Sequence, residues 1–363
     1  MIDLNLVPDG GMAWLDGSGP NSQMVLSTRI RLARNLASHP FAVRATPADR
    51  ERVLSEVVTA SKECPTLETA QLLRLDQLEA SDRRLLHERH LVSRELAGLE
   101  AEVEVRPASA VLLRDRVGLM LNEEDHLRIQ GIRSGFDLQA TYQDVERLDD
   151  ELGQRLPFAF HPEFGYLTSC PTNAGTGMRA SVLIHLPGLV LTKEISKVLQ
   201  GLAQVGLTFR GLYGEGSEVV GNFFQLSNQT TLGKSEQELL DHLGRMVRQV
   251  VEYEEQARHV LRRDVPIIIE DKVWRAYGLL RHARSLSFEE AMNLLSGVRL
   301  GVGLDLVDRC GIYALNKLLI HAQPAHLAAH EGVEPDDPDL NVRRARYVRT
   351  VLDEEAGRRG QVP

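Results

Sequence analysis

The chain has 363 residues, a formal net charge of −9 and 43% hydrophobic residues, a composition typical of a water-soluble protein with room for two domains. Its acidic balance argues against a protein that coats nucleic acid or anionic membranes, since binding to phosphates requires clustered excess Lys and Arg. We recognise neither an apolar run long enough to span a membrane nor a secretory signal. Cys64, Cys170 and Cys310 are odd in number and far apart, which favours reduced thiols and a cytoplasmic location.

The first elements predicted along the chain are a loose leader over residues 1–23 and an extended segment over Val25–Asn35. Side chains alternate between the two faces of a strand. Arg29 and Arg31 are therefore expected on the same face.

The middle of the chain is predicted to contain both helices and strands. The helices are expected to start at Thr46-Pro47 and to cover Ser81–Leu99, Thr141–Leu156 and Glu194–Gln204; the strands are expected in a hairpin over Ala110–Leu121 and at Ala180–Leu186, Leu207–Leu212 and Gly221–Ser227. From Ser235 onward, capping boxes and apolar residues at helical spacing predict helices only. The pattern indicates a mixed helix-and-strand domain followed by an all-helical domain.

Common nucleotide-binding loops are not recognised. Gly175–Ala180 fits the spacing G-x-G-x-x-A but leads into a predicted strand, whereas the dinucleotide motif needs a strand before it and a helix after it. Gly233-Lys234-Ser235 lacks the first glycine of a phosphate-binding loop. A nucleotide would have to be bound in another way. Arginines in strand-associated motifs could do this, because guanidinium groups are planar, charged donors suited to phosphate oxygens.

Each candidate also has a simpler interpretation. A single arginine is more often a member of a surface ion pair, and the acidic run Asn122–Arg128 could be a solvated loop. Cys170 could be a small buried hydrophobe or a thiolate stabilised by neighbouring cations. His90 and His126 have no second His or Cys at ligand spacing, which argues against a transition-metal site. The functional interpretation rests on how these residues occur together.

Four segments of the sequence resemble the ATP:guanido phosphotransferases, or phosphagen kinases. They are Ser-Thr-Arg-Ile-Arg (27–31), Asn-Glu-Glu-Asp-His-Leu-Arg (122–128), Cys-Pro-Thr-Asn-Ala-Gly-Thr (170–176) and Arg-Ala-Ser-Val (179–182). The resemblance implies an α+β fold, with an antiparallel-sheet catalytic domain flanked by helices over 24–256. An all-α domain over 257–363 is expected to serve dimerisation and substrate docking.

The resemblance also implies functional residues. It implies that ATP, with Mg²⁺, is bound by Ser27, Thr28, Arg29, Ile30, Arg31, His90, Arg128, Arg179, Ala180, Ser181, Val182, Leu183, Arg210, Gly211, Leu212, Tyr213, Gly214 and Glu215. Glu124 and Glu218 are expected to hold the guanidinium group, with Cys170 nearby. We predict that Glu124 is the general base, because paired carboxylates can align the guanidinium nitrogens and accept a proton. Glu123, Asp125 and His126 are expected to shape the loop or to hold a magnesium-bound water.

Two departures from the family pattern stand out. Tyr213 occupies the position of a further phosphate-binding arginine of the small-molecule kinases. In the helical domain, Leu340-Asn341 replaces the Arg-Asp of a phosphoarginine pocket, of which only Arg344-Ala345 remains. This second change weakens the expectation that the domain senses phosphoarginine.

Within the family, the chain resembles the branch that phosphorylates arginine side chains of proteins. The resemblance implies transfer of the γ-phosphate of ATP to such side chains, a Clp-type protease that receives the products, a zinc-binding activator and a homodimer. The alternatives are a kinase for free arginine or another small guanidino compound, and a non-catalytic adaptor on the same scaffold.

Overall fold

An eight-stranded antiparallel sheet forms the centre of the structure, a computed structural model that describes residues 12–99, 105–212 and 219–359. Its strands are β1 (Val25–Arg34), β2 (Gln71–Arg74), β3 (Ala110–Arg114), β4 (Val117–Leu121), β5 (Leu127–Ser134), β8 (Met178–His185), β9 (Leu207–Arg210) and β10 (Phe223–Asn228). The short strands β6 (Phe160–His161) and β7 (Gly165–Tyr166) form a separate hairpin. The strand order in the sheet is β2-β3-β4-β5-β1-β8-β10-β9. The predicted antiparallel sheet is confirmed.

Helices flank the sheet, and further helices follow it along the chain. Those within the first part are α1 (Pro47–Ser61), α2 (Ala80–Glu88), α3 (Leu138–Gly153), α4 (Pro187–Leu191) and α5 (Ile195–Gln204). The helical region consists of α6 (Glu236–Asp264), α7 (Pro266–His282), α8 (Phe288–Gly303), α9 (Ile312–His321), α10 (Pro324–Glu331) and α11 (Leu340–Arg359). The helical prediction beyond Ser235 is confirmed. Because α6 is continuous, the predicted boundary at 256 falls inside a helix.

The predicted helix over Ser81–Leu99 is wrong beyond its first half. Helix α2 ends at Glu88, and His90 has a left-handed backbone with φ of 59°. A residue in that conformation cannot continue a right-handed helix. The segment after it runs through turns, which brings residues 92–95 to the edge of a cleft.

Alternation along the central strands separates an apolar face of the sheet from a polar one. Ile30, Leu32, Ala180 and Val182 point into a core that includes residues of α3 and α6. The helical region has a second core, which extends to Leu183 and Phe223 at one end of the sheet and to Trp14 of the predicted leader. The polar face between these cores is the floor of the cleft.

Arg34, at the end of β1, is a buried anchor. Its Nε and Nη2 atoms donate to the carboxylate of Asp149 at 2.9 and 2.6 Å. Nη1 donates to the carbonyl oxygens of Ala33 and Thr176, both at 2.9 Å. The guanidinium carbon lies 3.5 Å from the ring centroid of Tyr166. One side chain therefore joins β1 to α3 and to the loop before β8.

We expect Arg34→Met to lower the free energy of unfolding by about 3–5 kcal/mol, because it leaves the buried Asp149 carboxylate without its partner. Urea denaturation measures this change. The control is Arg263→Met, which removes an exposed ion pair with Asp264 and should leave the midpoint unchanged. Equal midpoints for both variants would show that the Arg34 contacts contribute little.

Candidate active site

One cleft on the polar face of the sheet contains all five arginines singled out in the sequence. Its lining includes Arg29, Arg31, Arg128, Arg179 and Arg210. The sheet register explains the clustering: Arg31 of β1 lies directly opposite Arg179 of β8. Opposed residues in neighbouring strands have Cβ atoms about 5 Å apart. The fold thus holds like charges together.

The electrostatics of the cleft favour an anionic ligand. Burial, together with repulsion from neighbouring Arg179 and Arg128, lowers the pKa of Arg29 to about 10. Burial and the same kind of repulsion lower the pKa of Arg31. Within the described residues, no carboxylate forms an ion pair with either arginine, and the buried Nε of Arg31 has no acceptor. Such cations cost free energy unless an anion joins them.

A carboxylate stands at one edge of this cationic cluster. The turn between β4 and β5 brings Glu123 and Glu124 to Arg128, whose side chain is 14% exposed. Glu124 is more accessible, at 41%, and lies 3.3 Å from Arg128 Nη2. Its Oε2 atom also accepts from Asn173 Nδ2 at 3.3 Å. Burial raises the pKa of Glu124, an effect opposed by Arg128, and a carboxylate with a raised pKa is a stronger proton acceptor.

Asp125 and His126 make hydrogen bonds that hold the acidic turn in place. Asp125 is buried, and its Oδ1 atom accepts from Asn35 Nδ2 and from the backbone N–H of Ser169, both at 2.6 Å. His126 Nδ1 accepts from the backbone N–H of Leu36 at 3.0 Å. Of the two roles left open by the sequence, the geometry favours shaping the loop for these two residues.

Cys170 lies on the loop that faces Glu124. It is half-buried, and its Sγ atom is 3.0 Å from Thr172 Oγ1. A hydrogen bond from Cys170 is among the factors that lower the pKa of Glu124. Arg128 and Asn173 therefore contact this carboxylate, and Cys170 lies close enough to favour its ionised form.

A narrow extension continues the cleft beyond the arginines. Its lining residues are Ser27, Arg29, His90, Ile132, Ser181, Leu183, Leu212 and Gln225. The extension combines apolar side chains with a few polar groups, as small-molecule sites commonly do. Its cavity volume is about 10 Å³, enough for about one water molecule.

Other predicted ligand residues point away from the cleft. Ile30, Ala180 and Val182 are core residues on the opposite face of the sheet. Thr28 is buried, and its Oγ1 atom donates to the carbonyl oxygen of Gly135 at 2.7 Å. These four can reach a ligand only through their backbone atoms.

The segment after β9 is described only in part. Gly211 and Leu212 are buried, and Leu212 lines the extension. The remaining predictions in this segment, Tyr213, Gly214, Glu215 and Glu218, lie outside the described residues.

Several residues of the cleft were missed in the sequence. They are His87, Val92, Ser93, Arg94, Glu95, Asn173 and Gln225. Gln225 could have been found, because alternation along its predicted strand places it on the polar face. Residues 92–95 could not, because the expected helix over Ser81–Leu99 placed them on the wrong element.

Arg344 and Ala345 are buried in the helical region. Arg344 Nε donates to the carbonyl oxygen of Ala322 at 2.7 Å. Its Nη1 atom donates to the carbonyl oxygen of Leu286 at 2.9 Å and to Asn341 Oδ1 at 2.6 Å. Asn341, one of the two departures from the family pattern, thus helps to fix this guanidinium inside the protein.

Comparison with known families agrees with the geometry of this cleft. Residues 52–257 match the model of the ATP:guanido phosphotransferase C-terminal catalytic domain. The chain belongs to this family. Residues 266–361 of this ATP:guanido phosphotransferase match the model of the protein-arginine kinase McsB C-terminal domain. The chain is a phosphotransferase, as the sequence predicted.

Relatives and solved structures support the assignment. The chain is 45% identical to a protein-arginine kinase of Symbiobacterium thermophilum, over 96% of this chain and 98% of the relative. It is 44% identical to one of Brevibacillus brevis, over 93% and 94%. The duplicated taurocyamine kinase of Schistosoma mansoni has a TM-score of 0.59 and 26% identity, over 66% of this chain and 34% of that one. A lombricine kinase has a TM-score of 0.58 and 24% identity, over 66% and 70%, which supports the fold alone.

The described residues lack two features. No helix among them has the length and apolar character of a membrane span. They contain no group of three or more His, Cys, Asp and Glu placed to hold a metal ion.

The alternative left for Glu123, contact with a magnesium-bound water, requires an acceptor near the cleft. The Glu123 Oε2 atom is buried and accepts from no donor among the described residues. It is therefore available as this acceptor.

Proposed function

We propose that this phosphotransferase moves the γ-phosphate of ATP to arginine side chains of proteins. The observation that carries the proposal is the cluster of five arginines in one cleft, with Glu124 at its edge. The cluster suits a polyphosphate and Glu124 suits a guanidinium. The names of the full-length relatives, protein-arginine kinase, support a protein as the acceptor.

ATP would lie along the polar face of the sheet. Its phosphates would contact Arg29, Arg31 and Arg179, with Arg128 and Arg210 at the sides of the cleft. The adenosine would lie toward Leu183 and Leu212, and the extension would have to widen to admit it. Mg²⁺ would be held by the phosphates, with a water molecule reaching Glu123, and would neutralise charge on the transferring phosphoryl group.

The reaction forms a bond between a guanidinium nitrogen and the γ-phosphorus and breaks the bond from that phosphorus to the β,γ-bridging oxygen. ADP leaves with the bridging oxygen. An arginine side chain is protonated at neutral pH and is a poor nucleophile. Glu124 would orient it and accept the proton that the attacking nitrogen loses. We also propose Glu218 as the second carboxylate of this clamp.

Cys170 tunes this base, and its removal should change the pH dependence of the rate. Its hydrogen bond favours the ionised form of Glu124, so Cys170→Ala should raise the pKa of that carboxyl. Because the base acts when deprotonated, the acidic limb of kcat/KM should move to higher pH while the plateau stays in place. Rates measured from pH 5 to 9 provide the test. Cys310→Ala, in the helical core, is the control. Identical pH profiles for the unaltered chain and both variants would contradict this role of Cys170.

The acceptor is tested by incubating the chain with ATP and either an unfolded protein or free arginine. Mass spectrometry under conditions that preserve acid-labile phosphoarginine should find the modification on the protein. Phosphorylation of free arginine alone would favour the small-molecule kinase. ATP-dependent phosphoarginine in neither sample would favour the adaptor.

We also propose a cellular setting for this reaction. Cys64, Cys170 and Cys310 are not joined in disulfides, which supports a reducing cytoplasm. The helical region over 257–363 would serve dimerisation and substrate docking, and a zinc-binding activator and a Clp-type protease would be partners. Sedimentation of the full chain tests the dimer. Co-purification from cells tests the two partners.

A further inference from the structure

His90, at the junction of the cleft and its extension, is held in an unusual conformation. It lines both spaces and is only 7% exposed. Its φ of 59° lies in the left-handed region, where a residue with a side chain is strained. Such a conformation persists only when surrounding contacts impose it. The contacts that hold His90 therefore decide the shape of the cleft wall.

The two residues before His90 are fixed to the helical region. Glu88 is 5% exposed; its Oε1 atom accepts from the backbone N–H of Ala325 at 3.0 Å, and its Oε2 atom from that of His326 at 2.9 Å. Both donors belong to the first turn of α10. Arg89 Nε donates to His326 Nε2 at 3.0 Å. The end of α2 is thus clamped to the start of α10.

The His90 ring is held on its other side by the N-terminal segment. Trp14 packs edge-on against it, with ring centroids 5.4 Å apart. Leu15, the next residue, accepts a hydrogen bond at its carbonyl oxygen from Asn316 Nδ2 of α9 at 2.9 Å. These two attachments lead to the helical region, whereas Gln130 Nε2 of β5 donates to the His90 carbonyl oxygen at 2.8 Å. All described residues that line the cleft and its extension, however, precede Ser235.

We propose that Glu88 is a positioning residue through which the helical region holds His90 in the shape that binds ATP. Its carboxylate binds α10, α10 fixes the end of α2, and this end fixes the backbone of His90. Without the clamp, the left-handed residue can relax and only a fraction of molecules keeps the competent cleft. Apparent affinity falls in proportion to that fraction. This inference rests on the proposed function only in that ATP is the ligand of the cleft.

The test uses the full chain at pH 8, where Glu88, whose pKa burial raises to about 7, is ionised. Glu88→Gln keeps the length of the side chain but replaces one acceptor oxygen with a donor. Binding of a fluorescent ATP analogue should weaken about tenfold, and KM for ATP should rise while kcat changes little. The matched control is Glu79→Gln, on an exposed residue that precedes the same helix; it should leave both unchanged.

A second pair of variants tests the partner side. His326→Phe removes the acceptor for Arg89 and should weaken ATP binding, whereas His326→Gln keeps an acceptor oxygen and should restore most of it. Thermal unfolding is measured in parallel. A merely structural role would lower the melting temperature of these variants but leave the ATP affinity of the folded fraction unchanged, and that result would overturn the proposal.

Trp14 provides a spectroscopic check. In a Trp274→Phe background, Trp14 is the remaining tryptophan, and its emission should change in Glu88→Gln because its neighbour His90 moves.

Direct measurement of ATP binding separates the proposed function from the proposed role of Glu88. An unaltered chain that binds no ATP contradicts the proposed function, whereas equal binding by the unaltered chain and Glu88→Gln contradicts the role of Glu88 alone.

Discussion

Glu124→Gln should lower kcat by about 10² to 10⁴, the range of a lost general base, while ATP still raises the melting temperature. Glutamine preserves the size of the side chain and can still contact Asn173, but it cannot accept the proton. The carboxylate also lies beside Arg128. The neutral amide would no longer attract the incoming guanidinium, so KM for the acceptor should rise as well.

Phosphoarginine formation by mass spectrometry and ATP-dependent thermal shift are the two measurements for this variant. Glu163→Gln is the control, because Glu163 is an exposed acid on the neighbouring hairpin loop and should keep full activity. If Glu124→Gln retained more than a tenth of the rate, another group would have to be the base.

Arg31→Met should raise the stability of the protein and lower its activity. In the absence of ligand, Arg31 is a buried cation opposite Arg179, and a methionine of similar length removes both the repulsion and the cost of burying charge. Replacing a buried charge with a packed apolar side chain can raise stability by about 1 kcal/mol or more. The same change removes a donor to the transferring phosphate, so kcat/KM should fall by about 10² to 10³.

The two effects are measured by urea denaturation without ATP and by initial rates. Arg133→Met is the matched control: Arg133 lies on β5 and forms two hydrogen bonds with Asp144, at 2.7 and 2.9 Å. Its loss should lower stability modestly and leave the rate unchanged. An Arg31 variant less stable than the unaltered chain would indicate that the cationic cluster is not under strain.

The parts of the fold set by local rules were predictable from sequence. Thr46 and Ser235 cap their helices as expected, each accepting from the third residue after it. Alternation in β1 correctly predicted that Arg29 and Arg31 lie on the same face of the strand. These features depend on neighbours within a few residues, which the sequence displays directly.

Features set by distant contacts were not predictable. The end of α2 at Glu88 is held by α10, more than 230 residues away. The opposition of Arg31 and Arg179 depends on which strands become neighbours, and strand order cannot be read from spacing. The sequence placed Glu88 and Arg89 in the middle of a predicted helix, whereas in the structure they connect the end of α2 to α10.

The alternation in β1 also restricts how this strand can evolve. Ile30 and Leu32 lie in the core, while Arg29 and Arg31 lie in the cleft. Inserting or deleting one residue would exchange the two sets, because side chains repeat every two residues. Two guanidinium groups would then enter the apolar core and two aliphatic side chains would face the ligand. We therefore expect natural variation in this strand to consist of substitutions, with length changes confined to the loops beyond its ends.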